Sequence, residues 1–434
     1  MKKVETEILV LGSGLAGAAA ALNANKAGKK VAVLSRDGGG SAMSSGALDI
    51  AGDILAVPGQ PESWCHEIGR NLEQIMLRNP AHPYHLLGDS RGQVQDRIKA
   101  AFDLVFPADD GFIKGGFEAN RLVFNQLGTF KATALVQDRM LTFDDLLEAD
   151  SAGLFAFSGL LDFDADFFRT NFEYWCGRLA AKTKVQAIKL SLGSEPAKSS
   201  LEWARAIEQE PDAVLGKLIA AAKTISARLL ILPPILPGSC RARILAALEK
   251  ETGKKVCELL ALPPSVPGTR FSQYLEAGIS RAGVSKILGK AVGFSAENKK
   301  LISVSAADGR EPFQIFAKNF VLASGSFLAG GLAKAGGFRE QIFGLDTFQQ
   351  GRPCANIFTE KLTSPVITDP HPVFSIGLKV DAEQRPLSRE GHVVFENLFA
   401  AGSILSGANY ISDSTGAGTA LATGFRAGEQ AAKS

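Results

Sequence analysis

Apolar and polar positions alternate in a few clear patterns along this chain. Residues 4–11 end on an unbroken apolar run, ILVL, and predict a short buried strand. Residues 15–27, mostly alanine, predict a helix, and KKVAVLSR at 29–36 predicts a second strand, so the chain opens as β-α-β. Helical spacing recurs in RTNFEYWCGRLAAK (169–182), SLEWARAIEQ (200–209) and RARILAALEKETG (241–253). Residues 286–324 instead break into short apolar runs separated by turn residues and predict successive strands, ending in NFVLASGSFLAGG at 319–331. LPPSVPG at 262–268 is too rich in proline for a helix interior and predicts a rigid connection before a helix beginning near Arg270. Residues 397–429 predict a further strand, a loop and a long helix that starts between Gly416 and Thr419.

The turn between the first strand and helix carries G-x-G-x-x-G, with Gly12, Gly14 and Gly17 in the glycine positions. Gly12 permits the tight turn, Gly14 lets backbone approach a phosphate, and Gly17 lets the helix pack on the strand. Amide groups of Ser13, Leu15 and Ala16 then face the helix N-terminus, where an anion is held. One residue of the dinucleotide pattern is missing. The second strand ends in Ser35 and Arg36, not in the acid that accepts a bond from a ribose hydroxyl. The adenosine half is therefore held differently or is absent, and Arg36 either contacts a phosphate, as NADP or FMN offers, or is a solvated arginine.

SAMSSGALDI at 41–50 is too polar and glycine-broken for a helix, so it predicts a loop beside the first, with Ser44, Ser45 and Gly46 suited to close contact with a flat ring. Ala323, Ser324 and Gly325 follow one later strand, and Gly402 and Ser403 follow another. The last helix, opening at Gly416, Gly418, Thr419 and Ala420, can aim its N-terminus at the pyrimidine side of a flavin, where negative charge collects on reduction. Together these pieces read as one flavin site.

Composition narrows the setting. A chain of 434 residues is long for one core, and a hydrophobic fraction of 46% with 45 glycines and 27 phenylalanines suits a two-domain soluble α/β enzyme. Forty-seven basic residues against 45 acidic, without long runs of one sign, favour a small-molecule ligand and argue against nucleic acid. Five cysteines, at 65, 176, 240, 257 and 354, form no C-x-x-C pair, so no iron–sulfur or zinc site is expected and reduced, packed thiols are. Lys2 and Lys3 before an uncharged stretch resemble a signal peptide, but Glu5, Glu7 and three glycines interrupt it. The longest other uncharged stretches, such as 397–412, are short and glycine-rich beside the roughly 20 apolar residues of a membrane span. A cytoplasmic protein is expected, meeting the inner face of a membrane only through a partner.

The N-terminal glycine turn, closed by NLFAAG and GAGTALATGFRAGE near the C-terminus, resembles the two-domain flavoproteins of the fumarate reductase and succinate dehydrogenase type. Within that group SSGALDI, NQLGTFKATALV (125–136), LPPSVPGTRF (262–271), SGSFLAGGL (324–332), REQIFGL (339–345) and GLKVDAEQRP (377–386) resemble the B subunits of anaerobic glycerol-3-phosphate dehydrogenases. The matches run in order along most of the chain and are weakest at about 52–120 and 150–255. The motif, split between the two ends of the chain, predicts a doubly wound, Rossmann-like α/β flavin domain at 1–51 and 314–434, with an inserted α+β domain of helices and antiparallel strands at 52–313; the resemblance implies a non-covalent flavin, FAD or FMN. It implies electron relay from the catalytic flavoprotein of such a complex to its iron–sulfur protein, which serves membrane quinone. The alternatives are a self-sufficient flavin oxidoreductase acting on a small acid or ketone, and a fold kept only as a scaffold. Relatives that bind flavin covalently use a histidine after the second strand, and 36–50 contains none. The resemblance also points to His371, Arg352 and Arg270 as catalytic candidates, with His392 of comparable type and with Lys131 and Thr133 in reach of an anion or the flavin.

Overall fold

A computed structural model of the chain describes all residues except 1–2, 37, 57–59, 61–62, 193–195, 310–311, 335–336, 355–356 and 367–368. The first apolar run becomes strand Ile8–Leu11, the middle of a five-stranded sheet ordered Ser285–Leu288, Val31–Ser35, Ile8–Leu11, Asn319–Leu322, Leu398–Ala400. Every neighbouring pair is parallel. Parallel neighbours cannot be joined by hairpins, so the chain returns through helices or long excursions that cover both sheet faces. That is why every strand of the sheet except the edge strand Ser285–Leu288 is apolar at nearly every position and buried throughout.

One face carries helices Leu15–Lys26, Arg91–Val105, Val266–Arg281 and Gly416–Lys433. The first of these is an alanine helix buried almost all round, without the polar stripe of a surface helix. Small side chains let its backbone meet that of the last helix. A Cβ on Gly424 would lie 2.2 Å from the Ala16 carbonyl oxygen, and one on Gly428 would lie 2.3 Å from that of Ala20. The opposite face packs on a second sheet ordered Lys3–Glu5, Phe313–Phe316, Lys300–Ala307, Lys290–Glu297, antiparallel except for its first pair. The strands predicted within 286–324 are all present. Of the stretch 52–313, then, strand Ser285–Leu288 lies in the glycine-turn sheet and helix Val266–Arg281 packs against it.

That helix starts earlier than Arg270. Ser265 caps it, its hydroxyl accepting from the Gly268 amide at 2.8 Å, and Pro267 falls in the first turn, where a missing N–H costs nothing. A separate core is built around residues 124–259, on a sheet ordered Lys184–Leu190, Ser151–Phe157, Leu229–Leu232, Lys255–Glu258. While the antiparallel pairing expected of the middle of the chain is found between Arg121–Phe124 and Phe130–Thr133 and between Ile113–Gly115 and Leu135–Gln137, these four strands are parallel. The reason is that helices Ala165–Arg178, Ser200–Gln209, Pro211–Ala222 and Arg241–Thr252 intervene between successive strands and carry the chain back. Cys176, Cys240 and Cys257 pack into this core as thiols, and burial pushes the Cys176 thiol up to about 12. Among the described residues no helix is long and apolar enough to cross a membrane.

Candidate functional site

The carboxyl ends of all five parallel strands open into one cleft of about 860 Å³, lined by Leu11, Ser35, Gly289, Ala323 and Ala401 among others. That volume lies within the roughly 300–1,000 Å³ of small-molecule sites, and the position is the one at which open α/β sheets bind ligands. The glycine turn forms its floor. Gly12 holds φ at +114°, and a Cβ there would stand 2.3 Å from the Ala323 oxygen, so only glycine fits. Gly17 does not line the cleft; a Cβ on it would strike the Gly12 oxygen at 1.9 Å, so it serves close packing. Gly14 needs no special backbone angle, with φ −66°, and faces the hydroxyl of Ser41. Ser41 Oγ accepts from the Leu15 amide at 2.9 Å and so caps the first helix at the place where an anion would sit.

Of the residues expected to bind cofactor, Gly12, Ser13, Gly14, Leu15, Ala16, Ser35, Arg36, Ser44, Ser45, Ala323, Ser324, Gly325, Gly402, Ser403, Gly416 and Ala420 line the cleft. Gly46, Gly418 and Thr419 stand behind it with Gly17. Two of the lining residues, Ser35 and Ser324, carry buried Oγ atoms that find no hydrogen-bond partner among the described residues. Orphaned donors of this kind fit a ligand rich in oxygen and nitrogen. Ser35 occupies the position of the missing acid. Among the described lining residues the cations are Arg36, Lys131 and Lys290, against one carboxylate, Asp49.

The last helix meets the cleft differently from the expectation. Its Gly416, Ala417 and Ala420 line the wall, but the Ala417 and Gly418 amides donate to the main-chain oxygen of Asp49, at 3.1 and 3.0 Å. The Asp49 carboxylate accepts from Lys131 Nζ at 2.6 Å through Oδ2 and from Thr133 Oγ1 at 2.8 Å through Oδ1. Loop 49–52 is held from behind by Tyr84, whose hydroxyl donates to the Ile50 oxygen at 2.5 Å. His82, its ring tilted against that of Tyr84 with centroids 4.5 Å apart, is held neutral, its pKa pushed down to about 3 by burial. Tyr410 borders the cleft, with its hydroxyl 3.2 Å from Ser326 Oγ and its pKa raised by burial.

The three catalytic candidates do not line the cleft. Arg270 is buried in an ionic network: Nη1 donates to Glu258 at 3.0 Å and to the Leu236 oxygen at 2.8 Å, and Nε donates to Gln137 Oε1 at 3.0 Å. Arg241 holds the other side of Glu258 and reaches Asp138 Oδ1 at 2.5 Å. His371 caps a short 3-10 helix, Pro372–Ser375, its Nδ1 accepting from the Ser364 amide at 3.0 Å. Arg352 sits exposed on the strand Arg352–Pro353, and His392 is exposed in a turn. Ser41, Asp49, Lys290 and Tyr410 were not singled out from the sequence. Ser41 and Asp49 stand within the polar loop at 41–50; Lys290 is visible only once Ser285–Leu288 is known to join the sheet.

A parallel sheet whose central strand feeds a glycine turn, beneath a long cleft with orphaned hydroxyls, defines a nucleotide-cofactor-binding α/β protein. The particular family follows from comparison: the model of the FAD-binding domain family matches residues 7–419, and the chain belongs to that family of flavoproteins. It is a flavin-dependent oxidoreductase by that membership. Over nearly its full length it is similar to proteins named as the B subunit of anaerobic glycerol-3-phosphate dehydrogenase. The one from Vibrio cholerae is 27% identical over 442 residues, covering 98% of this chain and 96% of its own. Those from Aliivibrio fischeri, 27% over 450 residues, and Pectobacterium carotovorum, 26% over 443 residues, cover 94% and 98% of their own chains. Among solved structures, a 3-ketosteroid Δ1-dehydrogenase from Sterolibacterium denitrificans matches at 12% identity and TM-score 0.44, covering 99% of each chain. A flavocytochrome c3 fumarate reductase matches at 10% identity and TM-score 0.44, over 99% of this chain and 78% of that one.

Proposed function

We propose that this chain is the relay flavoprotein of an anaerobic, quinone-linked glycerol-3-phosphate dehydrogenase. It takes reducing equivalents from the catalytic flavoprotein of the complex and passes them to the iron–sulfur protein. A bound flavin accepts electrons in pairs and releases them singly, which suits a carrier between a hydride acceptor and one-electron centres. The observation that carries this reading is the contrast within the cleft. Its lining of glycine turn, serines and the cations Arg36, Lys131 and Lys290 suits a flavin, FAD or FMN, whereas His371, Arg352 and Arg270, the groups offered for acid–base work, stand outside it. The glycine turn with Ser41 holds phosphate, Ser35 and Arg36 meet the far end of the cofactor, and Ser324, Ser44 and Ser45 border its ring. The protein works in the cytoplasm and reaches the inner face of the membrane through its partners.

The test is dye reduction with glycerol 3-phosphate, first by the purified flavin-loaded chain and then with the two candidate partners added. The chain alone is expected to be inactive and the reconstituted set active. Rapid turnover by the chain alone would overturn the relay and make it a self-sufficient oxidoreductase.

A further inference from the structure

Asp49 and Lys131 are 82 positions apart in sequence and meet at the cleft wall. All three oxygens of Asp49 are engaged there: one carboxylate oxygen by Lys131, the other by Thr133, and its carbonyl by two amides at the start of the last helix. This has an electrostatic consequence. The free N–H groups that concentrate the positive end of a helix dipole are, for Ala417 and Gly418, already bonded. The Lys131 ammonium therefore adds, beside the Gly416 end of the helix, positive charge that these two amides do not supply to the cleft. Its side chain keeps 39% of its exposure, against 15% for Asp49, and Asp49 takes one of its three donors. Thr133 is 1% exposed and locks the carboxylate in place, so the ammonium is held by a rigid anchor.

We infer that Lys131 is the cation that stabilises negative charge on the reduced flavin, and that Asp49 is a positioning residue that holds it there while partly offsetting its charge. The inference rests on a flavin occupying this cleft. It adds a side-chain cation to the arrangement expected from the sequence, in which the helix N-terminus is aimed at the pyrimidine ring. The pair behaves as a dipole, so neutralising either member shifts the preference for reduced over oxidised flavin, and the two shifts have opposite signs.

Lys131→Met removes the cation and leaves Asp49 facing the ring, so reduced flavin should be bound about tenfold less favourably relative to oxidised. That lowers the midpoint potential by about 30 mV for a two-electron couple. Asp49→Asn keeps the main-chain carbonyl that caps the helix and frees the ammonium from its counter-charge, and should raise the potential by a similar amount. Lys131→Arg should stay near the wild type. The measurement is a spectroelectrochemical titration of each flavin-loaded protein, with affinity for oxidised flavin measured separately by fluorescence quenching. Opposite shifts with rescue by arginine support the assignment. Potentials that do not move, or that move in the same direction, overturn it. Should Lys131→Met fail to hold flavin, the sign of the Asp49→Asn shift decides, and a fall or no change there overturns it. A wild-type chain that retains no flavin at all would instead defeat the cofactor reading on which the inference depends.

Discussion

Replacing Arg270 by methionine distinguishes a structural arginine from a catalytic one. The side chain is 2% exposed and meets Glu258, which is fully buried, while Arg241 at 6% exposure holds the other carboxylate oxygen. Removing Arg270 leaves Glu258 with one counter-charge and strips a donor from Gln137 and from the Leu236 carbonyl. Breaking a buried pair from one side costs about 3–5 kcal/mol, because the remaining charge and acceptors stay out of water. The loss should appear as a lower apparent midpoint in urea, followed by circular dichroism; the separate cores make a single two-state free energy inappropriate. Glu258→Gln should fall by a similar amount, and the double variant by less than the sum, since the two residues share one interaction.

Acid adds an independent arm to that experiment. Burial raises the Glu258 pKa, but Arg241 and Arg270 outweigh it and hold the value below the ordinary 4.5. A carboxylate depressed on folding contributes its stability above the unfolded value and loses it as pH falls through the folded one. Wild type should therefore shed this contribution as pH drops below about 4.5, and Glu258→Gln should lack that part of the profile. An Arg270→Met protein that melts like wild type yet cannot exchange electrons with its partner would refute the structural account and return Arg270 to the chemistry.

Two further predictions concern the cofactor. No histidine stands among the described lining residues, so acid precipitation should release all yellow colour into the supernatant, and colour left on the pellet would mean a covalent link. Gly12→Val should abolish flavin retention and lower stability, since its Cβ would sit 2.3 Å from the Ala323 oxygen at φ +114°; Gly14→Ala should fold normally, its Cβ meeting only Ser41 Oγ at 3.2 Å. Equal flavin content in Gly12→Val and wild type would show that the turn is not the phosphate site.

Local physics made the ends of this protein legible. A glycine turn between two apolar runs needs no distant contact to declare itself, because the constraint on Gly12 and the burial of Ile8–Leu11 are written into neighbouring residues. The last helix was equally plain, and the structure begins it at Gly416, within the span its pattern predicts. The relations between distant segments were not. Strand Ser285–Leu288 is largely exposed at the sheet edge, so its pattern carries no sign of which sheet it joins, and with it went Lys290. The middle strands run parallel because helices carry the chain back between them, a property of connections and not of the strands' own residues. Arg270 reads as a candidate for chemistry until the fold brings Glu258 and Gln137 to it; Lys131 reads as a candidate for an anion or the flavin, but its partner Asp49, at 2.6 Å, is not legible. Residue type and periodicity determined that a flavin fold forms, while the pairing of charges across tens of residues, on which the electrostatics of the cleft depends, was decided by tertiary packing alone.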